Sequence, residues 1–73
     1  MTLAQRVAYE IDLLTQYITL EPVRAEKHRV ELMGVVDRLA VLQVECEAGK
    51  ITDWEARERL TTLRGERRVI TEE

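Results

Sequence analysis

One proline and three glycines are the only strong punctuation in this 73-residue chain, which limits how often it can turn. Leu, Val, Ala, Glu and Arg dominate the rest, and Phe is absent; this is an alphabet of helix formers. Pro22 removes a backbone donor and pushes Glu21 out of the α region, so it ends one helix. It also suits the first position of the next. Gly49, in Ala48-Gly49-Lys50-Ile51, suits the left-handed residue that closes a helix. The pattern predicts a single all-α domain over residues 1–73 with three helices. A short N-terminal helix covers about residues 2–20, a long central helix about 22–48, and a C-terminal helix about 53–68. The last two form an antiparallel hairpin, and the Pro22 connection is open to either a corner or a hairpin.

Local signals support these ends. Thr2 with Gln5 makes a weak capping box, and Thr52-Asp53-Trp54-Glu55 makes a full one, with Ile51 and Ala56 as a modest hydrophobic staple. Leu3, Val7, Ile11, Leu14 and Ile18 recur at the spacing of one helical face. Leu32, Val35, Leu39, Leu42 and Cys46 alternate by three and four along the central helix, a heptad-like seam. Gly34 interrupts that helix at a cost of up to about 1 kcal/mol. Either a close helix crossing or simple tolerance accounts for it. Ala56, Leu60, Leu63 and Ile70 form the stripe of the third helix, which frays after Gly65 unless Val69 and Ile70 extend it.

From Leu42 to Leu63, the run Glu47-Ala48-Gly49-Lys50-Ile51-Thr52, followed by Glu55, Leu60 and Leu63, resembles the short C-terminal hairpin called SHOCT. The usual aromatic four residues after the threonine is Ala56 here, and Trp54 carries the aromatic instead. The resemblance implies an oligomerisation or docking element and no chemistry. The compact helical character of the chain also resembles small phage-encoded proteins that bind and redirect a host protein.

A chain of this size usually needs a staple. One cysteine excludes an internal disulfide, and one histidine with one cysteine excludes a structural His/Cys metal cluster. Oligomerisation or close helix packing must therefore supply stability. The central helix is apolar on two arcs. One holds Ala25, Leu32, Val35, Val36, Leu39, Leu42 and Cys46; the other holds Val30, Met33, Ala40, Val41 and Val44. A helix apolar nearly all round belongs in a buried place. The first helix has its own extra arc of Tyr9, Leu13, Tyr17 and Leu20. A monomeric bundle leaves that arc uncovered, so the expectation is a homodimer or larger assembly in which central helices pair antiparallel through Leu32, Val35, Leu39 and Leu42. The Tyr9, Leu13, Tyr17, Leu20 arc and Trp54 are the expected partner-binding residues, although Trp54 could instead fold over the Gly49 turn.

Two other clusters carry alternative functions. Arg24, Lys27 and His28 near a helix start could hold an anionic nucleotide-type ligand at the Pro22 corner, with a tyrosine stacking on a base; Glu21, Glu26 and Glu31 could equally neutralise them. The row Arg57, Arg64 and Arg68, with Arg67 near its end, could meet RNA or an acidic partner, or form an interhelical salt-bridge row. Cys46, on the seam, reads as a packing residue, and His28 has no nucleophile at catalytic spacing. As a DNA-reading helix-turn-helix, the hairpin would place Glu45, Glu55 and Glu58 at packing positions. With a net charge of −3, this argues against DNA.

The start, MTLAQRVAYE, lacks the basic and apolar regions of a signal peptide, and no run approaches a membrane span. The expectation is a cytoplasmic chain, in the host cytoplasm if phage-encoded. No cofactor, metal or enzymatic chemistry is expected. The leading function is an adaptor or inhibitor that binds a protein through apolar helix faces.

Overall fold

The first helix begins where its cap demands. The Thr2 hydroxyl accepts from Gln5 N at 3.1 Å, and Thr2 N donates to Gln5 Oε1 at 2.8 Å, the reciprocal box that satisfies two orphan donors. The computed structural model describes residues 1–72 and contains α1 (Leu3–Leu20), α2 (Pro22–Lys27), α3 (Arg29–Glu47) and α4 (Asp53–Thr71). The described residues contain no strand.

The helix expected over 22–48 is two helices. His28, at φ −115° and ψ 25°, donates its N–H to Ala25 O at 3.2 Å, a tight one-turn closure that breaks the regular ladder. The short α2 thereby carries Ala25 into the core and redirects the chain into α3. Together Glu21, α2 and His28 form the corner that folds the chain back on α1.

The second turn forms as its glycine requires. Gly49 has φ +68°, Lys50 N donates to Glu45 O at 3.0 Å and Gly49 N to Cys46 O at 3.3 Å. This is the Schellman arrangement, which satisfies the last carbonyls of α3. Thr52 Oγ1 accepts from Glu55 N at 3.2 Å, so half of the expected capping box is present; among the described residues the reciprocal bond from Glu55 is not. The last helix runs to Thr71 rather than 68, passing through Gly65, because Ile70 is buried and anchors its final turn.

Ion pairs fix the helix directions. Glu45 meets Arg59 and Arg38 meets Glu66, so α3 and α4 are antiparallel. Leu3 and Ala4 line the same hollow as Cys46, Ala56 and Arg57, while Ile18 lines one with Leu32 and Met33. Hence α1 is antiparallel to α3 and runs alongside α4 in the same direction. The result is a rod of 37 × 19 × 17 Å whose core is built from Val7, Leu14, Leu32, Val35, Leu39, Leu42, Leu60, Leu63 and Ile70, together with Ala25 and Ala56.

Candidate protein-interaction surface

The core selects one face of α3. Leu32, Val35, Leu39 and Leu42, the residues expected between copies, are each 1% exposed within a single chain. They lie in the core against α1 and α4, so they are not available to a second copy without unfolding. Cys46 continues that seam, half-buried. Burial pushes its thiol above the ordinary range, and the carboxylates of Asp53, Glu45 and Glu47 push it further; a protonated, shielded thiol is a poor nucleophile.

Turning α3 by half a revolution exposes its other arc. Val30, Met33, Val41 and Val44 are 82, 50, 57 and 64% exposed, with Ala40 open beside them. On an amphipathic surface helix this is where charge belongs; between Val30 and Val44 only Asp37 supplies it on this face. Val69 of α4 extends the patch at the Val30 end, lining a hollow with Val30 and Gly34. At the other edge, Val41 forms the floor of a groove of about 500 Å³ with Leu42 and Leu63. The rim of that groove is Asp37, Arg38, Glu58 and Arg59. Two ion pairs stiffen the α3–α4 walls. Arg38 engages Glu66 with both terminal nitrogens, at 3.2 and 2.8 Å, and Arg59 holds Glu45 at 3.1 Å.

The first helix is rotated relative to the expected face. Its buried positions are Val7, Glu10 and Leu14, flanked by half-buried Leu3, Ile11 and Tyr17, whereas Ile18 turns outward. The cause is Glu10, which sits 4% exposed between two arginines of α4. Arg64 Nε is 3.1 Å from Oε1 and Arg67 Nε 2.6 Å from Oε2. The Arg67 contact is a charge contact without an aligned hydrogen bond. This rotation splits the Tyr9, Leu13, Tyr17, Leu20 arc. Tyr17 packs on the core and Leu13 is half-buried, while Tyr9 and Leu20 remain exposed singly. Trp54 is also exposed, rather than folded over the Gly49 turn, on the side of α4 opposite its buried stripe.

The charged clusters resolve differently. Because the helix breaks at His28, Arg24 and Lys27 lie in the last turn of α2, where cations complement the dipole. The start of that helix carries Glu21, without a side-chain capping bond, and Pro22, a poor cradle for an anion. In the arginine row, Arg64 is engaged by Glu10 and Arg68 approaches Glu72 at 3.8 Å. Arg57 lines the hollow at the start of α1 with Arg6 and Asp53. Among the described residues, no three His, Cys, Asp or Glu side chains gather where they could hold a metal ion. No helix of those residues is long and apolar enough to cross a membrane.

Compared with protein-family models, with curated proteins and with solved structures, the chain matches none.

Proposed function

We propose that this chain is a non-enzymatic protein-binding module, an adaptor or inhibitor whose contact surface is the outward face of α3. The observation that carries this reading is the apolar row Val30, Met33, Val41 and Val44, diametrically opposite the buried seam of the same helix. A contiguous apolar patch on a small protein marks an interaction site. A rigid helix presenting side chains at three- and four-residue intervals suits helix–helix or helix-in-groove recognition. The Val41 groove beside it adds a concave apolar floor with a mixed-charge rim, the anatomy of a small interface. The resemblance of residues 42–63 to SHOCT hairpins points the same way.

The test compares two baits in a pull-down from cell extract: the wild-type chain and the double variant Met33→Glu, Val44→Glu. Both substituted positions are exposed, so circular dichroism, and melting at a concentration too low for self-association, should match between baits. The expected result is a defined protein, another copy of this chain included, retained by the wild type and lost by the variant. Identical captures by the two baits would refute the reading.

A further inference from the structure

The outward face of α3 repeats as a heptad of its own. Val30, Met33, Asp37, Ala40, Val44 and Glu47 fall at alternating three- and four-residue steps, the spacing of a seam between two helices. This row faces away from the core, so its complement lies outside the chain. We propose that the complement is the same row of a second copy, running antiparallel about a two-fold axis at the level of Arg38 and Leu39. The proposal rests on the protein-binding reading of this face and names its partner.

Three features single out a second copy in that register. First, antiparallel pairing sets Met33 against the partner's Val44 in two symmetric layers, and Asp37 beside the partner's Ala40, where a small residue leaves room for a carboxylate. Second, it sets Arg29 of each copy next to the partner's Glu47, giving opposite charges at both ends. Both side chains are exposed, and among the described residues Arg29 makes only a long contact of 3.8 Å, to Glu26 of its own chain. Parallel in-register pairing would instead stack Asp37 on the partner's Asp37 and Glu47 on the partner's Glu47. Sliding the antiparallel pair by one heptad either sets Asp37 against the partner's Glu47 or leaves Val44 uncovered. Like-charge juxtaposition excludes wrong pairings more strongly than matched charge rewards the right one.

The third feature is Gly34. A Cβ built there meets nothing within 4 Å, so packing within one chain does not require glycine, although a glycine in a helix interior costs about 1 kcal/mol against alanine. Gly34 borders the outward face next to Val30 and Val69. In the proposed register it lies across from the partner's Val41, which fills the hollow. The close helix crossing that this glycine permits is thus between chains.

The exposed apolar area sets the scale of the interface. At their exposures, Val30, Met33, Val41, Val44, Val69 and Ile18 offer roughly 600 Å² per copy, somewhat below the ~800 Å² per partner of a standard interface. With a buried carboxylate at its centre, the pair should be weak and concentration-dependent.

Sedimentation equilibrium across a concentration series tests this on the full chain. The wild type should dimerise, and Val44→Glu should be monomeric. Asp37→Leu should tighten the dimer by about tenfold or more, because it replaces two desolvated carboxylates with apolar side chains. Arg29→Glu and Glu47→Arg should each weaken it, and their combination should restore it. Gly34→Leu should abolish pairing while leaving the helical circular dichroism intact. A wild type that stays monomeric to several hundred micromolar, or an Asp37→Leu chain that folds and pairs no better, overturns the proposal. So does a double charge reversal that fails to recover affinity. A monomeric wild type that still loses capture of another protein on Met33→Glu, Val44→Glu substitution overturns self-pairing alone. A monomer with unchanged captures overturns the protein-binding reading as well.

Discussion

Glu10 is a buried carboxylate held between Arg64 and Arg67, and its removal has a calculable cost. Arg67 is only 17% exposed at its side chain, whereas Arg64 is 52% exposed. Breaking a fully buried pair by deleting one partner costs about 3–5 kcal/mol, because the other charge is left desolvated. Here one guanidinium can turn to water and the other largely cannot, so Glu10→Met should cost about 2–3 kcal/mol. A domain of this length carries roughly 4–11 kcal/mol in total, and each kcal/mol moves its melting temperature by about 4–8 °C. The expected drop is therefore roughly 10–20 °C. Arg67→Met should cost somewhat less, since Arg64 still accompanies Glu10. The double variant Glu10→Met, Arg67→Met should recover to within about 1 kcal/mol of the wild type, as apolar replacements of buried ion pairs do. The coupling in this cycle should reach about 3 kcal/mol. Urea unfolding followed at the helical circular dichroism band measures all four corners, at one protein concentration because self-association would shift apparent stability. A Glu10→Met chain as stable as the wild type would refute the reasoning, since burial and two nearby cations would then not constrain the helix.

Two further substitutions probe single groups. Gly49→Ala should destabilise by about 1 kcal/mol, because φ +68° is a left-handed conformation in which a Cβ is strained; an unchanged urea midpoint would contradict the Schellman closure. Tyr17→Phe should raise stability by up to about 1 kcal/mol, because its hydroxyl is buried with no hydrogen-bond partner among the described residues and leaving such a group unsatisfied is costly. A loss of stability in thermal melts would show that the hydroxyl is satisfied.

Much of the fold is readable from punctuation and periodicity. Pro22, Gly49, Thr2 and Thr52 each act at the backbone position their chemistry suits, and the seam from Leu32 to Cys46 is apolar at core spacing. The break at His28 is not readable, because no proline or glycine stands there or within the five residues on either side. The rotation of α1 is hidden for another reason. Apolar periodicity counts Ile11 and Ile18 toward the core and a glutamate away from it, whereas the two arginines that hold Glu10 inside come from a helix more than fifty residues along. The same pairing decides among the alternatives that sequence leaves open for the arginine row, since Arg64 forms an interhelical salt bridge to Glu10. Both apolar arcs of α3 are legible from residue type alone. Which one faces inward depends on where α1 and α4 land, so the seam expected between copies became the core.

That division makes one helix its own control. Leu39 and Val44 lie five residues apart on α3, the first in the core at 1% exposure and the second 64% exposed. Truncating Leu39 to alanine removes buried methyl groups from the centre of the bundle, with little scope for collapse, and should cost about 2–5 kcal/mol. Truncating Val44 removes methyl groups already in contact with water and should change the stability of the monomer by less than about 0.5 kcal/mol. Association should show the reverse ordering. Val44→Ala should weaken whatever pairing the outward face makes. Leu39→Ala should leave that face intact at temperatures where the chain remains folded, and so leave the pairing affinity close to that of the wild type. Urea melts and sedimentation on the same two variants separate the effects. If Leu39→Ala lost association while still folded, or Val44→Ala lost stability in dilute solution, the assignment of one face to folding and the other to binding would fail, because the two arcs would then be parts of a single packed interior.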